Sequence, residues 1–183
     1  IPVYSFSYKF GRLIRKTIDL YEGLEEETGQ NIGWHKCGQL RIAESADRMD
    51  EYLNYASIAQ TQGVRAEILT PEQTVDLWPL MQRSPNLLGA IYNPDDGHIA
   101  PADVTQALAK GAKQLGANIY LHTEVRSIDM LPSGEWKVST NQGDIVCEHV
   151  VTATGNYVQQ TARMLGMELP CFPILHQYWV TET

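Results

Sequence analysis

The sequence predicts a mixed fold, α+β up to about residue 100 and α/β in character beyond it. Three observations carry this. Early apolar residues recur with the 3.6-residue helical period, separated by short strand-like runs. From Asn118 the period changes to two. A final apolar run, Val150-Val151-Thr152-Ala153, ends in the small residues Thr154-Gly155 before a new helical pattern.

Phe10, Leu13, Ile14, Ile18, Tyr21 and Leu24 form one stripe that closes near Thr28-Gly29, an amphipathic helix. Gly38 to Ala43 sets Leu40 and Ile42 on one face and Gln39 and Arg41 on the other, as a half-buried strand does. A second helix is expected from about Ala46 to Gln62, with Met49, Leu53 and Ala56 inward and Gly63 ending it. Thr70-Pro71-Glu72-Gln73 reads as a capping box with proline at the first helical position, and Trp78-Pro79 stops that helix early. Leu88 to Tyr92 is a short strand, and Asn93-Pro94-Asp95-Asp96-Gly97 is a dense turn signal. Pro101 then opens a helix whose expected buried stripe is Val104, Leu108, Ala112 and Leu115, capped by Gly116.

In the second half, Ile119 and Leu121 begin a strand. Glu124 to Met130, Glu135 to Thr140 and Asp144 to Glu148 form an antiparallel meander across the turns Pro132-Ser133-Gly134 and Asn141-Gln142-Gly143. His149 to Ala153 is expected as a buried strand and Tyr157 to Leu165 as the helix after it. Leu175 to Thr181 alternates again, with His176, Tyr178 and Val180 on one face.

A length of 183 residues allows one sizeable core or parts of two smaller ones. The net charge of -8 argues against nucleic acid, because neutralising phosphates needs clustered Lys and Arg. The cluster Lys9, Arg12, Arg15 and Lys16 reads as a solvated helix face. No apolar run reaches the roughly 18 residues needed to span a bilayer, so no membrane partner is expected. Cys37, Cys147 and Cys171 follow neither a disulfide nor a zinc pattern, and a reducing compartment fits: the cytoplasm, or the mitochondrial matrix in a eukaryote. The start at Ile1-Pro2, without Met and directly before a helical pattern, reads as a piece of a longer protein.

The candidate chemistry is sparse. Small residues at Thr154-Gly155 let a flat or phosphorylated ligand approach the backbone, although the same pattern also makes an ordinary strand-to-helix turn. The chain contains no Gly-x-Gly-x-x-Gly and no Walker loop, so the usual pyrophosphate cradle is missing from it. His35 and His122 read as solvent-facing and His149 as structural. His98 reads as a turn histidine bonded to nearby carboxylates, with pocket lining as the alternative. For His176 and Tyr178 the pattern leaves two readings open, a ligand-facing pair and a satisfied buried pair.

Three stretches taken together carry a resemblance: Asp19-Leu20-Tyr21 through Leu24-Glu25-Glu26-Glu27-Thr28-Gly29; Tyr92-Asn93-Pro94-Asp95-Asp96-Gly97-His98-Ile99 with Pro101 and its helix; and His176-Gln177-Tyr178 with Val180-Thr181. In this order and spacing the chain resembles the dimethylglycine and sarcosine dehydrogenases, FAD-dependent flavoproteins of the D-amino-acid oxidase-like group. The resemblance implies part of a Rossmann-type FAD-binding domain, with the meander as its crossover, and part of a substrate domain with an antiparallel sheet. Residues 1–93 would be mostly substrate-domain elements, 94–165 a partial FAD-binding domain, and 166–183 a return to the substrate domain.

It further implies that Val125 meets the adenine with its backbone and that Thr154 and Gly155 lie near the flavin. Tyr157 would stand where relatives often carry Trp beside the cofactor. His176 would take the place of an active-site histidine, with Tyr178 beside it as the second catalytic candidate. Ala100, where the group often has Asp, and Asn156-Tyr157, where it has an aromatic pair, depart from the pattern. The implied substrate is a small N-methylated glycine. A hydride equivalent passes from its N-methyl carbon to flavin, and the resulting iminium hydrolyses to formaldehyde or is trapped by folate bound to a domain beyond Thr183. The implied fingerprint for the FAD pyrophosphate lies upstream of Ile1. The competing expectation is a non-catalytic structural or partner-binding domain without cofactor.

Overall fold

The computed structural model describes residues 1–175, 177 and 179. The chain divides into two compact units, Ile1–Ile119 and Tyr120–Thr183.

The first unit opens with α1 (Tyr8–Thr28), capped by Ser7 and closed by Gly29. There follow β1 (Gln39–Ala43), α2 (Ala46–Thr61), β2 (Glu67–Leu69), α3 (Pro71–Leu77), β3 (Gly89–Asn93) and α4 (Pro101–Gln114). The three strands form an antiparallel sheet in the order β1-β3-β2. Central Ile91 is in register with Arg41 on one side and Ile68 on the other.

The expected capping box forms on α3. The Thr70 hydroxyl accepts the Gln73 N–H at 3.3 Å, and the Gln73 side chain accepts the Thr70 N–H at 2.9 Å. Two orphan donors of the first turn are thereby satisfied.

Two apolar clusters hold the unit. One gathers Ile18 of α1, Ala43 of β1, Tyr52, Tyr55 and Ala59 of α2, and Ile91 of β3. The other joins Leu24 of α1 and Ile32 to Val104 and Ala107 of α4. Trp34 packs against both.

Helix positions match the sequence better than helix phases do. Helix α2 buries Tyr52, Tyr55 and Ala59, whereas Leu53, expected inward, is exposed. Tyrosine rings supply the apolar surface there, and the Tyr52 hydroxyl still reaches the Ile42 carbonyl at 3.2 Å. Helix α4 buries Val104 and Ala107, and the expected Leu108 and Leu115 are exposed. Small Ala107 permits close approach to α1. Phe10 and Leu13 also lie outside the core, because Gly11, Ile18 and Leu24 set the buried face of α1.

The second unit contains the meander β4 (Val125–Met130), β5 (Trp136–Thr140) and β6 (Gly143–Cys147), all antiparallel. A 3-10 turn (Gly155–Tyr157) leads into α5 (Val158–Met164), which packs on β4 and buries Ala162; Ile128 is the buried residue of β4.

Two expected strands are absent. Ile119 to Leu121 and His149 to Ala153 carry no strand pairing, His149 is exposed rather than structural, and Val151 is 88% exposed. A strand exists through its ladder. Among the described residues no other strand lies beside either run, so apolar character alone leaves them as irregular chain. The strand expected from Leu175 to Thr181 rests on His176, Tyr178, Val180 and Thr181, which lie outside the described residues.

Candidate functional site

The predicted cofactor-binding positions fall in the second unit. Val125 begins β4 opposite Thr140, next to a register shift before Ser127, and its side chain is 38% exposed. Thr154, Gly155 and Tyr157 stand together at the entry to α5. The Thr154 and Thr161 hydroxyls are 3.1 Å apart, and Thr161 donates to the Tyr157 carbonyl at 3.3 Å. These bonds tie the turn to the first helical turn.

Gly155 has φ +54°, a left-handed conformation that side chains disfavour. Beyond its own chain neighbours, no heavy atom lies within 4 Å of the place a Cβ would take. Packing therefore does not explain the glycine. Its left-handed φ does, and the neighbouring Tyr157 is exposed. The predicted catalytic pair, His176 and Tyr178, lies outside the described residues.

In the first unit the Asn93–Gly97 turn meets the segment around His35. His35 and His98 exchange backbone hydrogen bonds at 2.9 and 3.0 Å, and their rings lie 5.0 Å apart. His98 does not bond to the neighbouring carboxylates, as its sequence context implies. Its Nδ1 is 3.5 Å from the Cys37 Sγ, because backbone pairing turns it toward the facing loop.

Gly97 makes this approach possible. A Cβ there would collide with the His35 carbonyl and the Trp34 ring.

Asp95 receives Arg65 through Nε at 2.8 Å and through Nη2, with Lys36 at 3.1 Å. The Arg65 guanidinium, with Lys36 second, holds the Asp95 carboxyl well below the usual carboxylate range. Lys36 also reaches Glu22 at 3.2 Å, linking the turn to α1. Sequence reading misses this cluster, since Arg65 and Asp95 are separated by 30 positions. The dense turn signal was its one visible trace.

The chain belongs to the FAD dependent oxidoreductase (DAO) family, whose profile it matches over residues 3–183. It is 38% identical to the mitochondrial dimethylglycine dehydrogenase of Rattus norvegicus over 167 residues, 91% of this chain and 19% of that protein. Against the 4-methylaminobutanoate oxidase (formaldehyde-forming) of Paenarthrobacter nicotinovorans it is 36% identical over 169 residues, 90% of this chain and 20% of that protein. Among solved structures, L-proline dehydrogenase from P. horikoshii matches with a TM-score of 0.83 and 27% identity, over 91% of this chain and 44% of that one. The chain thus spans about a fifth of the length of these curated relatives. The expected mixture of helices with antiparallel sheets and the expected family both stand. FAD is the cofactor of that family, and the space beside the Gly155 backbone is open.

Proposed function

We propose that the intact protein carrying this chain oxidises a small N-methylated amine of the dimethylglycine or sarcosine type. The observation that carries this reading is the 38% identity to dimethylglycine dehydrogenase, sustained over 91% of the chain. When bound, FAD supplies the acceptor for the hydride equivalent leaving the N-methyl carbon.

The chain's own residues divide the remaining work. Val125 offers backbone to the adenine, Thr154 and Gly155 receive the flavin edge, and the Tyr157 ring lies beside it. His176 accepts the proton of the substrate ammonium, since only the free amine has a lone pair to stabilise the developing cation. Tyr178 is the second catalytic candidate beside it in the sequence.

This reading assigns residues 1–93 and 166–183 mostly to substrate-domain elements and 94–165 to part of the FAD-binding domain. With no Gly-x-Gly-x-x-Gly among these 183 residues, it assigns the FAD pyrophosphate to residues other than these. It allows folate, held by another domain, to trap the one-carbon product. It also carries a matrix location in a eukaryote and a cytoplasmic one otherwise. Among the described residues no helix is long and apolar enough to cross a membrane.

The test is the absorbance spectrum of the purified intact protein, followed by a formaldehyde assay with dimethylglycine. Flavin bands near stoichiometric amount and formaldehyde release are expected. A colourless protein that takes up no added FAD would overturn the reading in favour of a structural or partner-binding domain.

A further inference from the structure

Two buried oxygen atoms in the first unit lack a hydrogen-bond donor, Asn93 Oδ1 and Asp96 Oδ2. Both residues are 1% exposed. They belong to one turn, closed by the Asp96 N–H on the Asn93 carbonyl at 3.3 Å. Unpaired acceptors at this depth are costly, and a charged one most of all.

The remaining polar atoms of both side chains are engaged. Asn93 Nδ2 donates to the Arg65 carbonyl at 3.0 Å. That bond fixes the amide, because turning it over would set oxygen against oxygen. Asp96 Oδ1 accepts the Val3 N–H at 2.9 Å. The Tyr55 hydroxyl, also buried, directs its single proton to the Val3 carbonyl at 3.4 Å.

We infer that one proton resolves both orphans: Asp96 is a neutral acid in the folded unit, and its Oδ2–H donates to Asn93 Oδ1. The Asn93–Asp96 turn is then latched to the Val3 segment by a carboxyl group that donates and accepts at once. An ionised carboxylate accepts only, and would leave both orphans in place.

Few charges face this group. Arg41 of β1 favours ionisation, but its guanidinium lies over the Tyr4 ring at 4.4 Å and its Nε bonds the Gln39 side chain. Asp95 opposes ionisation. Tyr55 of α2 is kept protonated by its own burial. Burial is the largest influence on Asp96 and moves it above its ordinary value.

A raised folded value means that the folded unit binds this proton more tightly than the unfolded chain does. The stabilisation this proton gives is therefore full below the ordinary aspartate value of about 3.9 and is lost as pH rises through the folded value. The turn becomes a pH-sensitive catch, tightest in acid.

Infrared spectra of the purified protein and its Asp96→Asn variant at about pH 6, some two units above the ordinary value, test this directly. The wild type should show a protonated-carboxyl C=O band that the variant lacks. Asn has the shape and the donor of the neutral acid, so the variant should melt no lower than wild type. Across about pH 5 to 9 the wild type should lose at least about 3 °C in Tm relative to the variant. A carboxylate signal from Asp96 at about pH 6, or an equal Tm difference at every pH, overturns the inference. Should Asp96→Asn fail to fold, carbon-13 labelling of wild-type aspartate Cγ still decides. One Cγ resonance at the protonated position at about pH 6 supports the latch, and none there refutes it.

Discussion

Replacing Gly155 with alanine separates a structural cost from a binding cost. An alanine forced to φ +54° costs roughly 1–2 kcal/mol of backbone strain. Because nothing beyond its chain neighbours lies within 4 Å of the new methyl group, backbone strain is the main cost to the free protein. If free and FAD-bound protein hold the same turn, strain by itself leaves the FAD Kd unchanged. If the flavin edge approaches this backbone, the methyl group stands in its way and affinity falls at least tenfold, about 1.4 kcal/mol. Gly134 is the control, with φ +88°, equally open space and a place in the β4-β5 turn. The assay is quenching of flavin fluorescence on titrating apoprotein, paired with urea unfolding. Gly155→Ala and Gly134→Ala should destabilise alike, and only the first should weaken FAD binding. A Gly155→Ala protein that is destabilised but binds FAD as tightly as wild type refutes the placement of the flavin.

Ile91 is fully buried at the centre of the first sheet, and Ile91→Ala should cost about 2–5 kcal/mol in urea unfolding. A loss below about 1 kcal/mol would mean the sheet does not anchor this core. Asp95→Asn should make stability less sensitive to acid. The ion-paired carboxyl is held below its unfolded value, so its stabilisation is present above about pH 4 and is lost as pH falls toward the folded value. Wild-type and variant Tm curves that stay parallel from neutral to acid pH would contradict this. His176→Ala in the intact enzyme should slow flavin reduction at least tenfold, about 1.4 kcal/mol of barrier. An unchanged rate removes His176 from the mechanism.

Local signals carried most of the elements. The capping box at Thr70 and Gln73, the meander turns at Ser133-Gly134 and Gln142-Gly143, and the glycine stop of α1 are encoded within a few residues, and each stands in the fold. What depends on distant chain was hidden. Strand β2 is three residues long, too short for any period to register. Helix α2 turns tyrosines inward where aliphatic residues were expected. The apolar run at His149 to Ala153 looks like a strand, yet pairing requires a neighbour that no local pattern supplies. Asp95 and Asp96 show the same limit in electrostatics. Side by side in the sequence, one sits between Arg65 and Lys36 and is held ionised, whereas the other is buried and pushed toward its neutral form. For the candidate site, sequence alone located the Thr154-Gly155 turn. The open space around Gly155 required coordinates.

Anaerobic mixing of the intact flavoprotein with dimethylglycine or sarcosine, with glycine as the control, tests the proposed chemistry most directly. The account predicts that the oxidised flavin absorbance bleaches with either methylated amine and persists with glycine. Flavin that stays oxidised with all three would contradict it.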